Sequence, residues 1–118
     1  MKTQYLYEAK IINVVDGDTV DALVDLGFHV YMNMRLRLYG IDTAEKNDKD
    51  PVLREKAKAA TEFLSSIVLG KSVLIETFKK DKYGRFLAKI FLPEQTTVSV
   101  NDAILNENLA IEYFGGKK

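Results

Sequence analysis

The sequence predicts a mainly β domain with helices, in which a five-stranded barrel carries one long helix between its third and fourth strands and a short C-terminal helix. Three observations predict it: a period-two alternation before residue 40, helical spacing over residues 53–67, and two further β-rich segments after residue 72. A chain of 118 residues is long enough for one hydrophobic core. We therefore expect residues 1–118 to form a single domain, with 115–118 as a flexible tail.

Three strands are predicted in the first third of the chain. The segment from Tyr5 to Val15 is rich in β-branched and aromatic residues, Asp16-Gly17-Asp18 interrupts it, and the β pattern resumes from Thr19 to Leu26. From Phe28 to Leu38, every second residue is apolar, which is the period of a strand with one buried face. We therefore expect a half-buried strand that starts at Phe28, and this is the clearest alternation in the chain.

A helix is predicted after a polar loop over residues 46–50. Asp50 and Pro51 have the pattern of an N-cap followed by proline at the first helical position, and Gly70 stands where a C-terminal cap belongs. Between these signals, apolar residues recur at helical spacing at Leu53, Ala57, Ala60, Leu64 and Ile67. These signals together predict one amphipathic helix of about four turns.

The remaining elements are two strands and a short helix. Strands are predicted from Val73 to Phe78 and from Arg85 to Leu92, joined by a basic hairpin loop. Ser99 is expected to cap a helix that ends near Glu107, and Asn108 to terminate it in a left-handed conformation.

The order of these elements is three strands, helix, two strands, helix. A five-stranded antiparallel barrel with a helix between strands three and four is the OB-fold arrangement. The alternative is an open α+β sheet. We favour the barrel, because five short strands close more easily than they shield two exposed edges.

Composition excludes several kinds of chemistry. The chain contains no cysteine, and His29 is its only histidine, so thiol catalysis, Cys-ligated zinc and histidine-based triads are not expected. Any chemistry must depend on Asp, Glu, Arg, Lys and Tyr. No apolar run approaches the roughly 18 residues that span a bilayer, and the first eight residues lack the apolar region of a signal peptide. We therefore expect a cytoplasmic protein without membrane contact, unless a signal has been trimmed.

Charge is unevenly distributed although the net charge is zero. Residues 1–53 carry nine acids and six bases, a net charge of −3, whereas residues 71–89 carry six bases and two acids, a net charge of +4. An acidic half facing a basic half is able to hold a metal ion on one side and an anionic ligand on the other. Chance scatter of solvated surface charge explains the same numbers.

Three acidic residues stand beside turns, namely Asp18, Asp42 and Glu45. Oxygen ligands without histidine or cysteine suit a hard cation such as calcium or magnesium. Acids beside glycine in turns are also commonly solvated, or hydrogen bond to the backbone. Spacing alone leaves both interpretations open.

Several basic and aromatic residues are candidates for binding an anionic substrate. Arg35 and Arg37 share one strand face, and Arg85 follows Gly84 at a junction between loop and strand. Arginine suits a phosphate ligand because its planar guanidinium binds two oxygens at once. The alternative for Arg35 is an exposed basic stripe. Tyr113 and the adjacent Phe114 are candidates for stacking on a base, with core packing as the alternative.

Three motifs of this chain resemble those of the staphylococcal nuclease, or thermonuclease, family. They are Val-Asp-Gly-Asp-Thr-Val at 15–20, Arg-Leu-Tyr-Gly-Ile-Asp-Thr-Ala-Glu at 37–45 and Asp-Lys-Tyr-Gly-Arg at 81–85. The segments at 100–103 and 109–110 are similar to the second helix of that family and the strand after it. The resemblance spans roughly residues 8 to 113, and three motifs in order make it specific.

The resemblance implies an OB-fold, calcium-dependent phosphodiesterase that acts on DNA and RNA and leaves 3′-phosphate ends. By motif, Asp18 and Asp42 would bind Ca²⁺ through carboxylates, and Thr43 through its backbone carbonyl. Glu45 would activate or orient the attacking water. Arg37 would be the catalytic arginine of this strand.

The remaining residues implied by the resemblance contact the substrate. Arg85 would hold the phosphate and its developing charge. Lys82 and Tyr83 would contact the substrate phosphates and sugar, and the aromatic residue that stacks on the base would be Tyr113 or Phe114. The expected partner is single-stranded DNA or RNA, bound by a monomer that needs no protein partner.

Two features depart from the family pattern. Ala44 stands where the family usually has proline, which predicts a less rigid loop before Glu45. The zero net charge predicts weaker substrate binding than in the strongly basic secreted members. A second hypothesis is therefore kept, in which the chain is a weak or inactive OB-fold module that binds single strands or a protein partner.

Overall fold

The structure is a computed structural model that describes residues 5–80 and 84–113. The predicted tail at 115–118 lies outside the described residues. The strands of the barrel are Leu6–Asp16 (β1), Thr19–Asp25 (β2), Tyr31–Leu38 (β3), Ser72–Lys80 (β5) and Phe86–Phe91 (β6). Two short strands form a second sheet, Ile41–Thr43 (β4) and Ala110–Glu112 (β7). The helices are Pro51–Val68 (α1) and Val100–Asn106 (α2).

The predicted barrel is confirmed, with strand order β1-β2-β3-β6-β5 and α1 between the third and fourth barrel strands. The expectation that all its strands run antiparallel is wrong at one contact. β3 and β6 pair in parallel, with Leu36 beside Phe86 and Leu38 beside Ala88. A closed ring of five strands cannot alternate direction throughout, so at least one neighbouring pair must be parallel.

Alternate residues of the barrel strands point inward and form the core together with one face of each helix. The largest fully buried side chains include Ile11, Leu36, Leu38, Ile75 and Ile90. α1 contributes four buried residues at helical spacing, namely Ala57, Ala60, Leu64 and Val68. It spans 18 residues, one turn more than predicted. Neither helix among the described residues combines the length and the apolar character needed to cross a bilayer.

The capping residues of helix α1 are those that the sequence predicts. The Asp50 side chain accepts a hydrogen bond from the Val52 amide at 2.9 Å, and Pro51 occupies the first turn. Gly70 has a φ of +75°, the left-handed region that favours glycine after a helix. Asp50 and Pro51 thus determine where the loop from β4 enters the helix, and Gly70 where the chain leaves it.

The third strand begins later than predicted, at Tyr31 rather than Phe28. Phe28 and His29 have φ values of +55° and +60°, and the Val30 amide donates to the Gly27 carbonyl at 2.9 Å, as in a type I′ turn. Phe28 is 99% exposed, and Met32 on the predicted inner face is also exposed. The β2–β3 hairpin therefore extends beyond the core.

The loop predicted after Gly40 contains a strand. β4 pairs antiparallel with β7, so that Asp42 lies opposite Ile111 and Thr43 opposite Ala110. This pairing holds Asp42 in an extended backbone beside the end of β3.

Helix α2 anchors the same region through one buried side chain. Ser99 caps the helix by accepting from the Asp102 amide at 3.1 Å, and Asn108 is left-handed, both as predicted. Asn101 accepts from the Ile90 amide at 3.1 Å and donates to the Tyr39 carbonyl at 2.8 Å. This asparagine therefore joins β6 to the chain that leads from β3 into β4.

Candidate active site

The turn between β1 and β2 presents Asp18 to the end of the barrel. A Cβ atom at Gly17 would lie 2.6 Å from the Cβ of Ala60, so only glycine allows α1 to pack this closely on the turn. Asp18 is 6% exposed, and both of its oxygens accept hydrogen bonds. The Thr19 hydroxyl donates at 3.0 Å and the Thr43 amide at 3.2 Å. The carboxylate is therefore held in one orientation, next to β4.

Arg37 joins the two aspartates of the predicted site. Its Nη1 atom lies 3.0 Å from Oδ2 of Asp18, and its Nη2 atom lies 3.2 Å from Oδ1 of Asp42. Nη2 also donates to the Ile41 carbonyl at 3.1 Å. The side chains of Arg37, Asp18 and Asp42 are 11%, 9% and 13% exposed. The guanidinium of Arg37, from the end of β3, thus links the turn before β2 to β4.

The charges around Arg37 favour its cationic form. Burial alone would lower the pKa of Arg37, but the carboxylates of Asp18 and Asp42 outweigh it and the pKa is raised. Charge-assisted hydrogen bonds of this kind are stronger than neutral ones. Arg37 therefore stays cationic across the physiological pH range.

Arg35 belongs to a different cluster on the same strand. Its Nε atom lies 2.8 Å from Oδ1 of Asp21, and its side chain is 56% exposed. The Arg35 guanidinium holds the pKa of Asp21 below its usual value. The two arginines of β3 therefore serve separate carboxylates, and only Arg37 contacts Asp18 and Asp42.

The two aspartates fit a hard cation in chemistry but do not form a complete ligand set. Within residues 5–80 and 84–113, no group of three acidic or histidine side chains is placed to hold a metal ion. Asp18 and Asp42 provide carboxylate oxygens within reach of one guanidinium, and a carboxylate has about four acceptor positions, so the present contacts leave capacity for a cation. Backbone oxygens and water would complete the coordination, as is common for calcium and magnesium.

Glu45 lies two residues after Thr43 and is exposed to solvent. It does not join the two aspartates as a third acidic ligand among the described residues. Its backbone carbonyl accepts from the Asp48 amide at 3.3 Å, which forms a turn in the loop before α1. Its side chain is therefore accessible to water.

Arg85 directly precedes β6 and is half-buried. β6 begins at Phe86, which lies opposite Leu36 of β3, and Leu87 lies opposite Arg37. Arg85 is therefore two residues before Leu87, the residue of β6 that lies opposite Arg37.

Tyr113 also lies at this end of the barrel. The Arg37 guanidinium carbon is 5.8 Å from the centre of the Tyr113 ring, within cation–π range. The Tyr113 amide donates to the Gly40 carbonyl at 2.9 Å. Lys82, Tyr83 and Phe114 lie outside the described residues.

Residues 35–118 match the family model described as staphylococcal nuclease homologue. This chain belongs to that family. The matched range contains Arg37, Asp42, Glu45 and Arg85. Asp18 precedes it, and the structure joins it to the matched region through its contact with Arg37.

Several curated proteins are similar to this staphylococcal nuclease homologue. An uncharacterized endonuclease of Escherichia coli is 29% identical over 76% of this chain and 52% of its own length. A thermonuclease of Staphylococcus hyicus is 32% identical over 86% of this chain and 56% of its own. An uncharacterized protein of Methanocaldococcus jannaschii is 31% identical over 91% and 59%. The chain thus spans between half and three fifths of the length of these relatives.

Two residues near the site of this nuclease homologue were not among the sequence candidates. Thr19 orients Asp18 through its hydroxyl, and its position directly after Asp18 was the available signal. Lys46 lies 3.3 Å from Asp16 through Nζ and Oδ1, and also donates to the Val15 carbonyl. Lys46 lies in the polar loop predicted over residues 46–50, and no local pattern connects it with a residue thirty positions earlier.

Proposed function

We propose that this chain is a calcium-dependent phosphodiesterase that hydrolyses single-stranded DNA or RNA and leaves 3′-phosphate ends, acting as a monomer. The observation that carries the proposal is the Arg37 guanidinium held between Asp18 and Asp42 at one end of the barrel. An arginine placed beside two carboxylates combines a group that binds phosphate with oxygen ligands for a hard cation. The exposed acid Glu45 follows Asp42 by three residues.

Arg37 retains donors for a phosphate. A guanidinium has five N–H groups, and three are used by Asp18, Asp42 and the Ile41 carbonyl. Within the part of the chain that the structure describes, two N–H groups remain for a ligand. Because the carboxylates hold the arginine in place, these donors are oriented before the substrate arrives, which is the condition for electrostatic stabilisation of a transition state.

The aspartates and Thr43 form the proposed calcium-binding side of the site. Asp18 and Asp42 would hold the ion through carboxylates, and Thr43 would contribute its backbone carbonyl. When bound, calcium would polarise the phosphate and stabilise its negative charge. The hydrogen bonds that Asp18 accepts from Thr19 and Thr43 hold its carboxylate ready for this role.

Glu45 is proposed to accept a proton from the attacking water. The water oxygen forms a bond to phosphorus, the bond from phosphorus to the 5′ oxygen breaks, and the leaving oxygen takes a proton from solvent. The products are a 3′-phosphate and a 5′-hydroxyl. Exposure of Glu45 allows a water molecule to reach it, and Arg37 and Arg85 would share the charge that develops on the phosphoryl oxygens.

The proposal is tested by incubating the purified protein with 5′-labelled single-stranded DNA and, separately, RNA, with calcium or with excess EDTA. We expect cleavage with calcium, none with EDTA, and products that a template-independent polymerase cannot extend from the 3′ end until the terminal phosphate is removed. Activity in excess EDTA would contradict the calcium assignment. Products with 3′-hydroxyl ends would contradict the proposed direction of bond breaking.

A matched pair of variants tests the role of Glu45. Glu45→Gln should lower kcat by about 10²–10⁴-fold, because it removes the proton acceptor and keeps the shape of the side chain. Glu55→Gln changes an exposed acid on α1 and should leave cleavage unchanged. Binding of single strands by wild-type protein without any cleavage would favour the alternative of a binding module.

A further inference from the structure

The Lys46 side chain connects the loop that carries Glu45 to the turn that carries Asp18. Its Nζ atom lies 3.3 Å from Oδ1 of Asp16 and donates a hydrogen bond to the Val15 carbonyl. Asp16 and Val15 end β1, directly before the turn at Gly17. One side chain therefore contacts two groups of the neighbouring segment, and it follows Glu45 directly in sequence.

Glu45 depends on its backbone for its position. Among residues 5–80 and 84–113, its carboxylate forms no hydrogen bond or ion pair. On the N-terminal side, Thr43 is held by β7 and by the bond from its amide to Asp18. Ala44 follows without the conformational restriction that a proline would impose. Among the described residues, the next hydrogen bond to another segment is that of Lys46, so the Glu45 backbone is held between two attachment points.

We propose that Lys46 is a positioning residue, which holds Glu45 in register with Asp18 through its contacts with Asp16 and Val15. The inference depends on the proposed function, because it assigns Lys46 a role only through Glu45. When Lys46 is bound to Asp16, the loop that carries Glu45 and the turn that carries Asp18 move together.

The geometry also sets the expected size of the effect. The side chains of Lys46 and Asp16 are 52% and 40% exposed, and ion pairs between exposed groups shift an equilibrium by a factor of at most about five. Loss of the contact should therefore lower kcat by about three- to fivefold. Substrate binding should be nearly unchanged, because the Arg37 cluster does not include Lys46.

The experiment compares kcat and KM of four proteins on one single-stranded oligonucleotide with calcium. Lys46→Met and Asp16→Asn should each lower kcat by about three- to fivefold with KM changed less than twofold. The double variant should be no slower than Lys46→Met, because the contact that Asp16→Asn removes is already lost in Lys46→Met. Lys46→Arg should retain most of kcat, since arginine also reaches the carboxylate.

Lys49→Met provides the matched control, because Lys49 is an exposed lysine of the same loop. Amide hydrogen exchange over residues 44–48 should be faster in Lys46→Met than in wild type or Lys49→Met. Unchanged kcat in Lys46→Met would overturn the inference while leaving the proposed function intact. A raised KM with unchanged kcat would also overturn it, since Lys46 would then bind substrate directly. A wild-type protein that cleaves nothing would refute the proposed function and this inference together.

Discussion

Replacing Arg37 by methionine separates the structural role of this arginine from its proposed catalytic role. Methionine has a similar length and no charge, so the variant leaves Asp18 and Asp42 close together without their shared cation. We expect a less stable protein in metal-free buffer. Because calcium ions bound by the same carboxylates would replace the lost positive charge, we also expect calcium to restore more stability in the variant than in wild type.

The size of the effect follows from burial. Removing one partner of a fully buried ion pair costs about 3–5 kcal/mol, because the other charge stays in a medium of low dielectric constant. Here the three side chains are 9–13% exposed, so water partly solvates the carboxylates. We therefore expect a loss of about 2–3 kcal/mol in the free energy of unfolding. With a slope of about 1–3 kcal/mol per molar, this lowers the urea midpoint by about 0.7–3 M.

The assay is urea denaturation of wild type, Arg37→Met and Arg35→Met, each with EDTA and with calcium. Arg35→Met is the matched control, because Arg35 lies on the same strand and pairs with Asp21 at the exposed surface. Its midpoint should stay close to that of wild type in both buffers. At a calcium concentration of 100 times the dissociation constant, Arg37→Met should regain about 2.7 kcal/mol.

A result in which Arg37→Met and Arg35→Met have the same midpoint in EDTA would refute this reasoning. It would mean that the two aspartates do not depend on Arg37 for compensation of their charge. Equal calcium responses of the wild type and Arg37→Met would refute the second part, since the ion would then bind elsewhere.

Three further predictions concern stability. Gly17→Ala should cost about 1–3 kcal/mol in a urea titration, because its Cβ would lie 2.6 Å from that of Ala60. Asn101→Ala should cost about 1–3 kcal/mol in the same assay by leaving the Ile90 amide unpaired. Arg35 lowers the pKa of Asp21, so wild type should be more stable than Asp21→Asn at neutral pH. The free energies of unfolding of the two proteins should converge as the pH falls below about 4.

The sequence determines the helices of this fold more clearly than its short strands. Asp50, Gly70, Ser99 and Asn108 are local signals, and each acts on backbone groups within a few residues of itself. β4 has no such signal, because three residues are too few to show a period and its partner β7 lies nearly seventy residues later. Pairing of this kind depends on the assembled barrel.

The error at Phe28 has a different origin. An apolar residue at every second position is compatible with a strand, and the alternation continues through the turn at residues 27–30. Type I′ turns usually contain asparagine and glycine because both central residues have positive φ. Here phenylalanine and histidine occupy these positions, so the usual turn signal is missing.

The candidate site shows the same division between local and distant information. The acids beside turns and the arginines of the third strand are visible in the sequence, but their spacing does not reveal that Arg37 reaches both Asp18 and Asp42 while Arg35 pairs with Asp21. The register of β2 against β3 decides this, since Thr19 lies opposite Arg37 and Asp21 opposite Arg35. Only the family motifs selected Arg37 before the register was known.

The contacts of Arg37 imply that cation binding and phosphate binding assist each other. Without a cation, Arg37 compensates two carboxylates, and these ion pairs draw its guanidinium toward Asp18 and Asp42. A cation bound by the same carboxylates would weaken both pairs and leave the guanidinium more available to a phosphate. By linkage, a bound phosphodiester must then raise calcium affinity by the same factor. Calorimetric titration of calcium with and without an oligonucleotide that has uncleavable linkages measures this factor. Its loss in Arg37→Met, together with its persistence in Arg35→Met, would assign the coupling to this one side chain.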